Sequence, residues 1–226
     1  RPMSEYLLIN LLIIVVPLIL SFEKNIGYYT KFKHVFASIL FTAVPFIIWD
    51  ATATNRGDWS FNKEFVQGFK ILGLPFEEIL FFITVPYSII FIYETVNFYI
   101  AERKYNTHKI PAILLIAILF FTAIINAGKF YTCTVLLFSA GVILADFFYF
   151  KVLSGSVNFL ITLVISYIPF FIVNYFLTSL PIVEYNSSAF SGIRITTIPV
   201  EDFIYSFALI SWYVAFYAFF KKRFVR

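Results

Sequence analysis

Seven stretches of the chain are nearly free of charge: residues 6–22, 35–49, 79–93, 110–128, 130–145, 159–180 and 203–220. Their apolar residues run on without the alternation of a barrel strand. In hydrocarbon, where an unpaired backbone group is costly, such runs have to be helices. The pattern therefore predicts an all-α integral membrane protein with seven transmembrane helices. Composition agrees, because 61% of the 226 residues are hydrophobic, 22% aromatic and only 13% charged, against about a quarter charged in ordinary soluble domains. A water-soluble core cannot absorb that much apolar surface.

The first run follows a short leader, in which Arg1 and Pro2 stand before a natural start at Met3 and read as a remnant of cloning. No cleavage-site pattern follows it. Cys133 has no partner cysteine, so disulfides and sulfur redox chemistry are not expected. The formal charge of +4 says less than how the basic residues divide between alternate loops. Arg1, Arg56, Lys63, Lys70, Lys129 and Arg194 fall on the face that holds the amino terminus. Lys24, Lys31, Lys33, Arg103, Lys104, Lys109, Lys151, Lys221, Lys222, Arg223 and Arg226 fall on the other. Eleven against six puts the carboxyl terminus in the cytoplasm and the amino terminus outside, in a multi-pass protein of the cell membrane. Nothing supports a nucleic-acid partner.

Slid along itself by 124 residues, the sequence lays FNKEFVQGFKILGLPFEE (residues 61–78) on YNSSAFSGIRITTIPVED (residues 185–202) without a gap. Asn62, Gly68, Ile71, Pro75 and Glu77 recur as Asn186, Gly192, Ile195, Pro199 and Glu201. Lys70 matches Arg194, and Glu78 matches Asp202. The same shift lays run one on five, two on six and three on seven, which is the trace of a duplicated membrane fold. The expected organisation is a single membrane domain over 1–226: repeat one at 3–100, a linker helix at 105–128 and repeat two at 129–226. In this 3+1+3 plan the unpaired fourth helix restores direction. Two parallel three-helix repeats then lie about an axis along the membrane normal, with both acidic pairs on one face.

Pro75-Phe76-Glu77-Glu78 and Pro199-Val200-Glu201-Asp202 read first as ordinary helix starts, since proline suits the first turn and acids suit the positive dipole end. However, the apolar run after Glu78 is only fifteen residues, roughly 22 Å of helix against about 30 Å of hydrocarbon. The carboxyl groups are therefore expected to be drawn toward the membrane, where acids are costly and by default functional. Asp50, whose repeat mate is Asn174, and Asn55, Arg56, Trp59, Asn62 and Asn186 gather near the same face as substrate-binding or supporting residues. Each has a plainer reading too: Asn55-Arg56-Gly57-Asp58 as a turn, Trp49 and Trp59 as interfacial belt residues. Glu94 reads as interfacial. His34 and His108 have no acid or histidine at ligand spacing, so no metal is expected.

The doubled Pro-x-Glu-(Glu/Asp) motif, the upstream Asn-Arg-Gly-x-Trp loop (Asn55, Arg56, Gly57, Trp59) and the span plan resemble the lycopene cyclase domain family. This is the integral-membrane type found as two small subunits or as one fused chain, and the resemblance covers nearly the whole sequence. The second unit lacks counterparts of Asp50 and Trp59. The resemblance implies a lycopene β-cyclase, an isomerase (intramolecular lyase) of carotenoid biosynthesis that closes the ψ-ends of lycopene to β-ionone rings, giving γ-carotene and then β-carotene. Glu77, Glu78, Glu201 and Asp202 would be its acid and base set. A carboxylic acid protonates the terminal double bond, the neighbouring alkene attacks the cation, and a carboxylate removes a ring proton. No cofactor is implied, and the chain has no Gly-x-Gly-x-x-Gly loop. Lycopene and other carotenoids would arrive from the bilayer, with membrane lipid as the other partner; association into a homo-oligomer is left open. A carotenoid hydratase or a cyclase of a shorter terpene would begin with the same acid step. From another class, SWEET-like small-solute transporters also have seven spans in parallel repeats, but they carry Pro-Gln motifs and need a hydrated midplane. A retinal protein needs a lysine in its last helix, and residues 203–220 contain none.

Overall fold

Every long apolar run folds as a helix, and polar residues set the ends. The computed structural model describes residues 3–105 and 109–223; Arg1, Pro2, His108 and Arg226, used in the reading above, lie outside the described residues. Seven α-helices follow in order: α1 Glu5–Leu20, α2 Phe32–Arg56, α3 Phe76–Tyr99, α4 Lys109–Ile125, α5 Phe130–Ala145, α6 Val157–Ser179 and α7 Val200–Arg223. The Ser4 hydroxyl caps α1 by accepting from the Leu7 amide, and Ser156 caps α6 through Phe159. Gly57 ends α2 in the left-handed conformation, φ 85°, that a side chain resists.

Five helices are long and apolar enough to cross a membrane: α2 with its preceding turn, α3, α5 with its trailing π-turn, α6 and α7. α1 and α4, of 16 and 17 residues, are apolar but shorter, at roughly 24–26 Å. α1 stops where the Ser21 hydroxyl turns back to the Pro17 carbonyl at 2.6 Å. The lipid-like character of the outer surface is plainest on α4, where Ile110, Phe121 and Ile124 are each about two-thirds exposed. Chains with such outward faces are membrane proteins.

The two helices that begin with acidic pairs form the middle of the bundle. α3 packs on α1, α2, α6 and α7, and α7 packs on α2, α3, α5 and α6, while α4 lies along α5. Between the helices, short strands close one end: β1 Trp59–Phe61, β2 Lys70–Ile71, β3 Leu74–Pro75, β4 Val183–Tyr185, β5 Arg194–Ile195 and β6 Ile198–Pro199. β2 with β3 and β5 with β6 are hairpins, and β1 pairs antiparallel with β4, Trp59 opposite Tyr185. Both motif loops are therefore tied together at one end of the molecule.

Hydrogen bonds repeat the sequence register. Asn62 donates its amide to the Ile182 carbonyl and Asn186 to that of Asp58, at 3.0 and 2.8 Å. Phe76 donates to Phe69 and Val200 to Ile193, at 2.9 and 3.0 Å. Each pair differs by 124 residues. At the first helix of each copy the match moves by one: Tyr6 donates to Phe65 and Tyr131 to Ala189, so α5 follows α1 at a shift of 125. At the opposite end stands Glu94. It is buried, and its two oxygens each take a lysine at 2.6 Å, Lys31 before α2 and Lys221 at the end of α7. A buried carboxylate needs such partners.

Candidate active site

Each acidic pair sits in the first turn of its helix, held there by the hairpin before it. Leu72 and Gly73 turn the first hairpin with φ of 53° and 86°, and Thr196 turns the second with φ 59°. All four acids are buried. Neighbouring helix positions diverge by about 100°, and this divides each pair. The first acid faces its own loop: Glu77 Oε1 accepts from the Ser4 hydroxyl at 2.7 Å and the Gln67 amide at 2.6 Å. Glu201 Oε1 accepts from the Thr132 hydroxyl at 2.6 Å and the Ser191 amide at 2.7 Å. Gln67 and Ser191 are repeat mates, so the two latches are equivalent.

The second acid of each pair turns the other way, and Glu78 and Asp202 line one small cavity of about 70 Å³. Asp50 and its repeat mate Asn174 also line it. Asp202 accepts from two tyrosines: Tyr131 at 2.5 Å, and Tyr185 at 3.0 and 2.9 Å on its two oxygens. Glu78 accepts from the Tyr6 hydroxyl. Asp50 accepts from the Trp59 indole N–H at 2.7 Å and lies close enough to Glu78 for the two carboxyl groups to interact. Among the described residues lining this cavity there is no Lys, Arg or His. Tyr185, on β4, is partly buried; desolvation first and the Asp202 carboxyl second hold its phenol well above its ordinary pKa, so it remains a donor.

The remaining expected residues divide in the same way. Trp59 is on the cavity wall, edge-on to the Tyr131 ring at 5.0 Å. Asn62 and Asn186 are off the cavity: their side-chain oxygens accept from the Glu64 and Ser188 amides at 3.0 and 3.1 Å and shape the loops after β1 and β4. Arg56 pairs with Asp58 and lies 4.2 Å over the Phe130 ring. Asn55 packs against Gly73, its Oδ1 3.2 Å from where a β-carbon would be. All four therefore support the loops and do not touch the cavity. Tyr6, Tyr131, Tyr185 and Tyr205 were not singled out by sequence reasoning. The available signal was positional, a tyrosine near the start of the first helix in each repeat, but with 15 tyrosines in the chain it did not stand out.

Beside this cavity runs an apolar groove of about 440 Å³ between α1 and α6, floored by α3 and α7. Phe81, Asn174 and Tyr205 belong to the walls of both. The groove is lined by Ile, Leu, Val, Phe and Pro with only Ser88, Ser166, Ser206, Asn174 and the Tyr205 phenol as polar interruptions. Its rims, Leu12 on α1 and Ile172 on α6, are exposed on the apolar exterior. The arrangement offers buried carboxyl groups, hydroxyl donors and aromatic faces at the end of a hydrocarbon path.

A family model described as lycopene cyclase matches residues 4–96 and again 128–220, two segments displaced by the repeat shift of 124 residues. No curated protein and no solved structure matches.

Proposed function

The chain belongs to the lycopene cyclase family, and from that premise we propose that it is a lycopene β-cyclase, closing ψ-ends to β-ionone rings without redox change. The carrying observation is the convergence of Glu78 and Asp202, one from each repeat, on a single cavity that adjoins an apolar groove. In this reading the polyene lies in the groove and its end reaches the acids. Glu78, sharing a proton with Asp50, protonates the terminal double bond. The tertiary cation is attacked by the neighbouring alkene, which forms the ring bond and moves the charge to the next tertiary carbon. Asp202 then takes the ring proton, so one proton enters, one leaves, and the product is an isomer. Asp202 suits the base because two tyrosine hydroxyls stabilise its anion. Tyr and Trp faces around the cavity suit a transient cation, which they stabilise without bonding to it. Glu77 and Glu201 are positioning residues, holding the loops through Gln67 and Ser191.

With this function goes a multi-pass topology of 3+1+3 helices, carboxyl terminus cytoplasmic, in which α1 and α4 also cross. The symmetry of the loop hydrogen bonds supports two parallel repeats. A small-solute carrier is disfavoured by the apolar groove lining. A carotenoid hydratase would share the acid step, and products separate the two. Expressed in a lycopene-accumulating bacterium, the chain should convert lycopene to γ-carotene and β-carotene on chromatography. Lycopene left unchanged beside folded, inserted protein would refute the reading, and a hydroxylated acyclic product would favour the hydratase.

A further inference from the structure

A duplicated bundle should have two equivalent grooves: one between α1 and α6, and a mate between α5 and α2. The first is open. In the second, three positions that line the open groove with smaller side chains carry much larger ones. Ser88 of α3 is replaced by Trp212 of α7, Val173 of α6 by Trp49 of α2, and Ile13 of α1 by Phe138 of α5. These residues fill the space. Trp49 stacks on Phe138 at 4.6 Å with 22° between the rings, and Phe46 meets Phe138 at 5.1 Å, bridging α2 and α5. Trp212 packs over Gly141, its ring 3.8 Å from where a β-carbon would be, and stacks on Phe216 at 5.8 Å. Trp49 and Phe46 also pack on Tyr205, at 5.2 and 5.5 Å, so the filled side ends at the wall of the acidic cavity.

Resting on the cyclase reading, we infer that Trp212 and the Trp49–Phe138 stack are a plug that leaves the duplicated fold one hydrocarbon groove, so that one end of one polyene is served at a time. The open groove runs from Phe81 to Ile92 on α3, roughly 16 Å at 1.5 Å per residue. A forty-carbon chain long enough to span the bilayer extends beyond it into lipid. Its far end cannot reach the acids through the plugged side. The singly cyclised hydrocarbon therefore leaves, reverses in the bilayer and binds again before its second ring closes.

Two measurements on the full chain in lipid nanodiscs test this. The first is lycopene binding, followed by its absorbance shift. We expect one lycopene per chain, and at least a tenfold loss of affinity in Ser88→Trp, which moves the plug into the open groove. Val173→Phe, on the facing wall, is the second variant if Ser88→Trp does not fold. Two lycopenes per chain, or undiminished binding by either folded variant, would overturn the plug. The second is a deuterated-lycopene pulse chased with excess unlabelled lycopene once the monocyclic product has formed. The label should stay largely in the monocyclic product; label passing undiluted into the bicyclic product would overturn release between rings. Stoichiometric binding without any ring formation would instead count against the cyclase reading and leave the plug standing.

Discussion

At the scale of the residue, the two acids of each pair have different work, and substitution should separate them. Asp202→Asn and Glu78→Gln remove groups on the cavity and should each lower the cyclisation rate by about 100-fold or more, the range of a lost acid or base. Glu77→Gln keeps an acceptor for Ser4 and the Gln67 amide and should retain most of the activity. Glu77→Ala frees both donors and should lower stability by about 1–3 kcal/mol, read as a lower melting midpoint in detergent. Full activity in Asp202→Asn with unchanged folding would remove the proposed base. Tyr185→Phe takes one of two hydroxyl donors from Asp202, and a rate loss smaller than that of Asp202→Asn is expected.

At the scale of the element, the hairpins before α3 and α7 decide where the acids point. Their turns use positive φ, and two glycines of these loops, Gly73 in the first turn and Gly192 before the second hairpin, meet different surroundings. Gly73 (φ 86°) has Asn55 Oδ1 at 3.2 Å from a built β-carbon, whereas Gly192 (φ 86°) has no atom within 4 Å. Gly73→Ala combines strain with a steric clash and should lower stability by about 1–3 kcal/mol; Gly192→Ala carries the strain alone and should cost less. Thermal unfolding of the two variants compares them, and an equal or reversed order would show that Asn55 does not brace the turn. The pairing of β1 with β4 places Trp59 and Tyr185, from different repeats, on the same cavity. The site is thus shared between the copies and is not two separate sites.

At the scale of the whole molecule, the end opposite the site is locked by Glu94 with Lys31 and Lys221. The lysines are partly exposed, so losing one leaves Glu94 paired with the other. Lys31→Met or Lys221→Met alone should be mild, while the double variant strands a buried carboxylate and should cost about 3–5 kcal/mol. A double-mutant cycle on melting midpoints measures this, and simple additivity of two small effects would show that the triad does not lock α7 to α3 and to the turn before α2. The same asymmetric use of a symmetric frame is seen in the grooves, open beside α1 and filled beside α5.

Hydropathy and the repeat were readable because each is local or linear: a run of apolar residues needs a helix in lipid whatever it packs against, and a duplication survives as identities at a fixed shift. These determined the seven helices and the membrane class, and placed the four acids at equivalent helix starts. Tertiary structure alone distinguished Glu78 and Asp202 from Glu77 and Glu201, because adjacent residues differ only in helix phase and the neighbours that phase selects lie some 70 residues away in sequence, as Tyr6 does from Glu78. It also showed the two lysines that meet Glu94 and the place of Trp59 on the cavity wall. Which of 31 phenylalanines and 15 tyrosines face lipid and which fill a groove is a property of pairs of helices, and no single stretch of sequence contains it.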